Sequence, residues 1–262
     1  MPYTKRRYTN SQLINVNKRR VFYLERLVRV KYSKGDSIKY ISHLNLAQVF
    51  TRTLRRADIP VIISDGFNPR FRISFGPPLP LGISSTSEYL DIRLKEEVKV
   101  EKLTERLNRV LPQGLKILKA KIIPSSADSL IKVIDRASYV ITLKIKEKLL
   151  DSTAKNQENE LKELEQEVEK NNKKFLNLDE ITVEKQSKNG NKMVNIRPSI
   201  LDIKVQKFQN LILELNLDLK IGQQGNLNPR YVARAWISNF ANGFGIILIC
   251  RDGLYVKDEE VI

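Results

Sequence analysis

The residues of this chain best suited to chemistry lie between positions 62 and 82, in the segment IISDGFNPRFRISFGPPLPLG. It offers a carboxylate, an amide, a hydroxyl and two guanidinium groups, on Asp65, Asn68, Ser74, Arg70 and Arg72. Guanidinium groups bind phosphate through paired N–H donors, and a positioned aspartate can act as a nucleophile or a base. The segment therefore predicts an anionic ligand, with Asp65 as a candidate catalytic residue. A turn aspartate that caps its own loop is the structural alternative.

Conformationally restricted residues surround these side chains. Proline fixes φ and removes a donor, whereas glycine admits positive φ; the segment has three prolines after its strand and a glycine at each end, Pro77, Pro78, Pro80, Gly66 and Gly82. We expect such a loop, called the signature loop below (residues 62–82), to hold a few side chains in one geometry. A loop that only shapes the fold is the alternative interpretation.

The single histidine provides a second candidate. His43 follows Ser42 and precedes a predicted helix, and an ordinary imidazole pKa near ~6.5 suits a general acid or base. The alternative is a ring that hydrogen-bonds the start of the helix. Because a helix N-terminus favours a bound phosphate over a protonated imidazole, Ser42 and His43 are predicted to bind an anion.

Arginines form the densest basic group. Residues 45–57 predict a helix whose inward face is apolar and whose outer face carries Arg52, Arg55 and Arg56. With Arg70 and Arg72 they are expected to form one phosphate-binding patch, and Phe67 and Phe71 to stack on bases. The alternative is that both phenylalanines belong to the core and that the arginines are merely solvated.

The overall charge favours a polyanionic partner. The 262 residues include 46 Lys and Arg against 30 Asp and Glu, which gives a formal net charge of +16. RNA is the predicted partner, and DNA or an anionic membrane surface are the alternatives. No apolar run is long enough for a transmembrane helix, and the N-terminus has no apolar signal core. The expected location is the cytoplasm, which the single cysteine, Cys250, also suits.

The cysteine and histidine counts argue against resident metal chemistry. A radical SAM enzyme needs three cysteine ligands for its iron–sulfur cluster, and this chain has one cysteine. One histidine and one cysteine also argue against a structural zinc site. No Walker-type loop or GxGxxG motif follows a predicted strand. We expect no metal and no cofactor.

Alternating apolar residues predict strands at 27–32, 61–64, 87–94 and 115–123, and helical periodicity predicts helices at 45–57 and 100–111. The order of these elements along the chain is β-α-β-β-α-β. A similar order recurs later: strands at 138–146, 181–185, 193–196, 201–205, 211–219 and 245–250, with helices at 156–175 and 229–240. The expected fold class is α+β, with two ferredoxin-like halves and antiparallel sheets. The halves are predicted at 25–126 and 137–262, after a flexible basic arm at 1–24.

Three motifs carry a family resemblance: GFNPR…ISF…PLPLG at 66–82, ISHL at 41–44 and EYLD at 88–91. Together they resemble the radical SAM-linked domain family of unknown function, whose members are encoded beside or fused to cobalamin-binding radical SAM proteins. The resemblance implies a radical SAM protein as partner. It continues more weakly through NIRP at 195–198 to Pro229, which adds Arg197 to the candidate anion-binding residues. Asn45 and Asn195 stand where the family commonly has aspartate.

The predicted function is that of an RNA-binding accessory protein, which by resemblance works with a cobalamin-dependent radical SAM enzyme. One alternative is a stand-alone enzyme that modifies or cleaves RNA through Asp65 or His43. The run LNRVLPQGLKILKAKIIP, followed by SYVITLKI, has the layout of a pseudouridine synthase family that acts on tRNA anticodon arms. Another alternative is a basic subunit that binds an acidic protein.

Overall fold

The computed structural model describes residues 25–146, 157–187, 190–209, 211–222, 225–240 and 243–262. The basic arm predicted at residues 1–24 lies outside the described residues. The helices are α1 (His43–Arg56), α2 (Val100–Val110), α3 (Leu130–Val133), α4 (Gln157–Leu176) and α5 (Pro229–Ser238). The strands are β1 (Arg26–Lys34), β2 (Ile73–Phe75), β3 (Ser84–Leu94), β4 (Leu115–Ile123), β5 (Arg136–Ile145), β6 (Thr182–Ser187), β7 (Gly190–Asn195), β8 (Ile200–Gln209), β9 (Ile212–Lys220), β10 (Phe244–Val256) and β11 (Glu259–Glu260).

One large sheet organises the α+β fold. Its strand order is β4-β1-β3-β10-β5-β9-β8, with β2 paired to β3 and β11 paired to β10. Every pairing is antiparallel except the one between β10 and β3, where Cys250 lies opposite Ser84. This parallel contact joins the N-terminal and C-terminal groups of strands, so a single sheet runs through both parts of the chain.

The N-terminal strands bury one face beneath α1 and α2. Val28 and Val30 of β1 lie opposite Ile92 and Leu90 of β3, and they pack against Phe50 of α1. Burying each such side chain stabilises the fold by roughly 1.5–3 kcal/mol. We call this side of β4-β1-β3-β2 the helix face. We call the other side of the same strands the second face. It carries the alternating residues Arg29, Lys31, Asp91 and Arg93, and Arg29 and Asp91 are buried there.

The C-terminal strands pack against α4 and α5. Apolar residues at every second position of β5 and β9 are buried, and they share a core with Val168 of α4 and Trp236 of α5. Asn172 of α4 accepts a hydrogen bond from the Trp236 indole at 3.0 Å. The narrow apolar stripe of α4 is therefore part of the core, and the charged side of the helix faces solvent.

Three strand predictions need correction. Residues 61–64 form no strand. Val61 and Ile63 make only single bridges, to Leu94 and to Phe71. The chain turns back directly after Ser64, so a longer run of paired residues cannot form. The strand predicted at 71–75 is confined to Ile73–Phe75 for the same reason. The strands predicted near 181–185 and 193–196 are β6 and β7, which form a separate two-stranded sheet outside the main one.

The helix predictions are confirmed to within two residues at their ends. Prediction and structure agree on the buried face of α1, made by Leu46, Phe50, Thr53 and Leu54. The sequence did not reveal α3 or β11, which are too short to show a periodic pattern. Among the described residues, no helix is both long and apolar enough to cross a membrane.

Candidate nucleic-acid interface

The tip of the signature loop is closed by two hydrogen bonds. The Ser64 amide donates to the Arg70 carbonyl at 2.7 Å, and the Arg70 amide donates to Ser64 Oγ at 3.0 Å. Between them, Gly66 has φ +124°, a conformation that side chains with a Cβ rarely adopt. Residues 65–70 are all exposed, and the Phe67 ring is fully so. The tip therefore presents Asp65, Asn68 and Arg70 around an aromatic ring in solvent.

A buried arginine fixes the position of the proline part of the signature loop. Arg251 of β10 donates Nη2 to the Pro77 carbonyl at 2.9 Å and Nε to Glu88 Oε1 of β3 at 2.7 Å. Burial alone would lower the pKa of the Arg251 guanidinium, but the Glu88 carboxylate raises that pKa above its ordinary value. The charged Arg251 guanidinium therefore satisfies the Pro77 carbonyl. The neighbouring prolines could not do so, because proline has no N–H donor.

A second buried cation holds the approach to α1. Lys34 Nζ donates to the carbonyls of Ile41 and Lys39, at 3.0 and 3.2 Å. Burial lowers the pKa of the Lys34 ammonium, and the nearby Glu88 carboxylate opposes that shift. The Lys39 carbonyl also accepts from the Gly82 amide at 2.9 Å, so the end of the signature loop lies against the same turn.

Gly82 lies at a close approach that only glycine permits. Its φ is +74°, and a Cβ there would lie 2.7 Å from Arg230 Nη2 and 3.0 Å from the Tyr40 ring. Arg230 of α5 donates to the Gly82 carbonyl at 2.7 Å. The loop is thereby attached to the C-terminal part of the chain. Sequence reasoning missed Arg230 and Arg251, because their partners are distant in sequence. It missed Lys34 because main-chain carbonyls leave no mark in the sequence.

Ser42 is the N-cap of α1, a role that was not among the sequence predictions. Its Oγ accepts a hydrogen bond from the Asn45 amide at 3.2 Å, as an N-cap does. The His43 ring is exposed and meets Phe75 edge-on at 5.3 Å. The adjoining pocket, lined also by Lys34 and Glu88, has a cavity volume of about 10 Å³, close to what one water needs. Any ligand at His43 therefore binds on the surface.

In the ranges that the structure describes, the side chains of Asn45 and Asp65 take no part in the hydrogen bonding at the start of α1. The Asn45 side chain is exposed, and its main-chain amide alone serves the cap. Among the described residues, no hydrogen bond or ring contact joins Asp65 to His43. The two candidate catalytic residues therefore do not form an acid–base pair in this structure.

The outer arginines of α1 are exposed, as predicted, but they differ in what they contact. Arg55 places its guanidinium carbon 5.3 Å from the centre of the Phe71 ring. Arg56 donates to the Val110 carbonyl of α2. The Arg52 guanidinium has no hydrogen bond or ion pair within the described part of the chain. Phe71 is therefore half-buried under an arginine, and Phe67 is the ring free to stack on a base.

The strand register divides the predicted arginine patch between two faces. Ile73 and Phe75 lie opposite Ile92 and Leu90 on the helix face, whereas Ser74 lies opposite Asp91 on the second face. The Arg93 amide donates to the Arg72 carbonyl at 3.1 Å, which puts Arg72 beside Arg93. The expectation of one patch is thus corrected: side chains alternate along a strand, so Arg72 and Ser74 face away from α1.

Arg197 lies away from the signature loop, and all three of its guanidinium nitrogens donate to main-chain carbonyls. Its guanidinium donates to the carbonyls of Leu176, Leu178 and Ile200, at 2.7–3.1 Å. Leu176 is the last residue of α4, Leu178 follows the helix, and Ile200 begins β8, so Arg197 ties the end of α4 to the start of β8. The expectation that Arg197 binds an anion is corrected, because these main-chain carbonyls occupy its donors.

Asn195 performs a local task beside it. Its Oδ1 accepts from the amides of Ile181 and Arg197, at 3.1 and 3.0 Å. A carboxylate oxygen would accept the same two bonds, so asparagine in place of the aspartate common in the resembled family keeps this turn. Within the described ranges, no group of His, Cys, Asp and Glu is arranged to hold a metal ion.

Several solved structures resemble the chain at low sequence identity, and three are described below. A Cbf5-Nop10-Gar1 complex matches with 7% sequence identity and a TM-score of 0.46, over 89% of this chain and 50% of that chain. An archaeal box H/ACA sRNP Nop10-Cbf5 complex matches with 8% identity and a TM-score of 0.39, over 86% and 46%. An H/ACA RNP bound to a substrate RNA containing 2'-deoxyuridine matches with 7% identity and a TM-score of 0.39, over 86% and 46%. The chain spans about half the length of these chains.

A comparison with curated proteins found no match. A comparison with protein families found one that covers most of the chain, from residue 27 to residue 229, and includes both the signature loop and the start of α5. The chain belongs to this family, DUF2344, described as an uncharacterized protein conserved in bacteria.

Proposed function

We propose that this chain is an RNA-binding protein whose signature loop and α1 meet the RNA backbone. The observation that carries the proposal is the exposure of three arginines, Arg52, Arg70 and Arg72, whose guanidinium groups have no acidic partner among the described residues. In a chain with a net charge of +16, these donors are free to pair with phosphate.

The tip of the signature loop supplies a means of holding a base. Phe67 is fully exposed at the tip, with Asn68 and Arg70 close by in sequence. Base–aromatic stacking contributes about 1–3 kcal/mol per base and tolerates any base. The tip therefore suits single-stranded RNA, with stacking on Phe67 and a phosphate on Arg70.

The domain organisation that we propose is two ferredoxin-like halves. Support comes from the strand orders: β4-β1-β3-β2 in the first half and β10-β5-β9-β8 in the second both correspond to the 4-1-3-2 order of a βαββαβ unit. The halves span 25–126 and 137–262, and β6 and β7 are an insertion in the second. Residues 1–24 are a basic arm that adds contacts to RNA.

A radical SAM protein is the partner that we propose in addition to RNA. The motifs at 41–44, 66–82 and 88–91 support it, through their resemblance to the radical SAM-linked domains. One cysteine cannot ligate the cluster, so the partner would supply the radical chemistry and this chain would present RNA. Affinity purification from cells that encode both proteins tests the pairing, and recovery without any radical SAM protein would contradict it.

An RNA-modifying or RNA-cleaving enzyme is the second candidate function. It is favoured by the position of Asp65, whose carboxylate is exposed at the same tip as Phe67 and Arg70. A base stacked on Phe67 would thus lie near a carboxylate. Incubation of cellular RNA with the protein and with its Asp65→Asn variant tests this function. Turnover that the variant loses, with binding retained, would establish an enzyme.

The test of RNA binding is its dependence on salt. If about five phosphates are contacted on single-stranded RNA, log K should fall against log salt with a slope near ~−3.5. Fluorescence anisotropy of a labelled oligouridine at several salt concentrations gives the slope. A flat response, or no binding at low salt, would overturn the proposed function.

A further inference from the structure

A groove of about 520 Å³, called the α5 groove below, lies between the outer side of α5, the end of α4 and strand β6. Its volume is within the roughly 300–1,000 Å³ that is usual for ligand pockets. Polar side chains lie among largely apolar walls, and the apolar residues are Phe175, Leu178, Ile181, Val183, Tyr231 and Ala235. The residues that we propose contact RNA through the signature loop and α1 lie outside this groove.

Three polar residues from the later part of the family match fix the walls of the α5 groove. Asn195 Oδ1 accepts from the Ile181 amide at 3.1 Å, and Arg197 Nε donates to the Leu178 carbonyl at 3.1 Å. Asn228 Oδ1 accepts from a main-chain amide at 3.1 Å and so caps the start of α5. The residues of this part of the chain that the signature loop does not use therefore position a second site.

One face of α5 presents an aromatic ring and a cation to the groove. Tyr231, Arg234, Ala235 and Ser238 line it, and their helical spacing puts them on one side of α5. The opposite side of the helix, with Trp236, is buried in the core. The Tyr231 ring is half-buried, whereas Arg234 is exposed. Across the ranges that the structure describes, the Arg234 guanidinium has no acidic partner.

Strand β6 adds a second cation across the groove. Val183 and Lys185 share the side of β6 that faces α5, and Lys185 Nζ lies 5.5 Å from the centre of the Tyr231 ring. Glu184 is the one acid among the described residues that line the groove. Alternation along the strand turns its side chain to the other side of β6, where it accepts from Asn191 Nδ2 at 2.8 Å. The groove therefore has a positive rim above apolar walls.

We infer that the α5 groove binds a nucleotide of an RNA chain, with the base on the Tyr231 ring and the phosphate at Arg234 and Lys185. Aromatic rings beside cations are the usual means of binding single-stranded RNA. A lysine over an exposed ring is a weak contact, so a base can replace it while the ammonium pairs with the phosphate. Ser238 and Asn239 line the same groove, with a hydroxyl and an amide that can hydrogen-bond a base edge. This inference rests on the proposed function, which supplies RNA as the ligand.

The α5 groove and the tip of the signature loop lie at opposite ends of β3. Arg72, at the base of the tip, lies beside Arg93 near the last residue of β3. Gly82 precedes the first residue of β3, and its carbonyl accepts from Arg230, the neighbour of Tyr231 on α5. The 11 residues of β3 span roughly 33 Å. A very short RNA therefore occupies one site at a time, whereas a longer strand that engages both gains affinity from the linkage.

The first experiment locates the base. A long oligouridine that contains iodouridine is photocrosslinked to the protein, and the modified peptide is identified by mass spectrometry. We expect a crosslink at Tyr231 that Tyr231→Leu loses and Tyr231→Phe keeps, because the ring and not the hydroxyl stacks on the base. The absence of this crosslink from wild type would overturn the inference. So would its suppression by polyglutamate as efficiently as by unlabelled oligouridine, because the groove would then bind acidic peptides.

The second experiment measures affinity by anisotropy, with labelled tetrauridine and a longer labelled oligouridine at several salt concentrations. Arg234→Gln should bind the longer RNA on the order of tenfold more weakly than wild type does, because a charge-assisted contact is lost. Its salt slope should be shallower by about 0.7, and it should lose most of the gain in affinity with length. Lys102→Gln is the control: it removes the same charge from an exposed position of α2 and should bind as wild type does.

The outcomes separate this inference from the proposed function. If wild type binds no RNA, the proposed function fails, and the inference fails with it. If wild type binds RNA and Arg234→Gln and Lys102→Gln have equal affinities, only the α5 groove is wrong. If Arg70→Ala and Arg72→Ala keep wild-type affinity while Arg234→Gln loses it, the groove is supported and the signature loop does not bind RNA. Protection of Tyr231 by uridine monophosphate as efficiently as by oligouridine would overturn an RNA chain as the source of the nucleotide.

Discussion

Arg251 and Glu88 form an ion pair that is buried at the contact between β10 and β3. Their side chains are 0% and 6% exposed, and Arg251 reaches the Pro77 carbonyl as well. The same pair thus joins the two groups of strands and holds the proline part of the signature loop. A buried ion pair therefore positions the loop that we propose binds RNA.

Breaking this pair should destabilise the protein strongly. Glu88→Gln leaves Arg251 buried without a countercharge, which costs about 3–5 kcal/mol. At about 2–4 °C per kcal/mol for a chain of this size, the melting temperature should fall by roughly 10 °C. Glu105→Gln is the control, because its pair with Arg109 is exposed and contributes less than about 1 kcal/mol. Equal melting temperatures for the two variants would contradict a structural role for Glu88.

Arg70 and Arg72 should matter for binding and little for stability. Arg70→Ala and Arg72→Ala are each expected to weaken RNA binding by about 1–3 kcal/mol, because each loses a charge-assisted contact. Stability should change by less than about 1 kcal/mol, since both side chains are exposed. Thermal melts and RNA titrations on the same samples check this. Variants that unfold while folded molecules bind normally would show that the loop is structural.

Pro80→Ala provides the contrast to the arginine variants. Proline restricts the loop backbone, and alanine loosens it, so binding and stability should both fall modestly. The same melts and titrations measure it. A variant that lost binding alone would place Pro80 in contact with RNA.

Deletion of residues 1–24 should weaken RNA binding without lowering the melting temperature. This arm carries Lys5, Arg6, Arg7, Lys18, Arg19 and Arg20. Cations on a polar segment add phosphate contacts and bury little apolar surface. Titrations and melts of the truncated protein measure both properties. A large loss of stability would show that the arm packs on the fold.

Asp218 should make stability depend on pH in an unusual direction. Burial raises the pKa of this carboxyl, and Arg136, 3.3 Å away, opposes the shift. A carboxyl with a raised pKa in the folded state binds more protons there than in the unfolded chain. Its contribution to stability therefore falls as the pH rises from its ordinary pKa through the folded one.

Asp218→Asn removes that dependence. The variant should be slightly more stable than wild type at pH 7, by less than about 1 kcal/mol, and the difference should vanish in acid. Urea melts at pH 7 and below pH 4 measure it. A less stable variant at pH 7 would show that the pair with Arg136 outweighs the effect of burial.

The amino-acid sequence predicted the α+β class, most element positions and the exposure of the outer arginines of α1. Helix periodicity placed Arg52, Arg55 and Arg56 outside the core, because a 3.6-residue repeat needs no partner to define an outer side.

Only the tertiary structure decided which residues share a surface. The register of β2 against β3 turned Arg72 from α1 toward Arg93, and the pairing of β1 with β4 brought Lys31 beside Lys119. Arg251 and Glu88 are 163 residues apart in the chain. Contacts at such separations depend on how the strands pair and pack. Local patterns of hydrophobicity and charge do not specify that pairing.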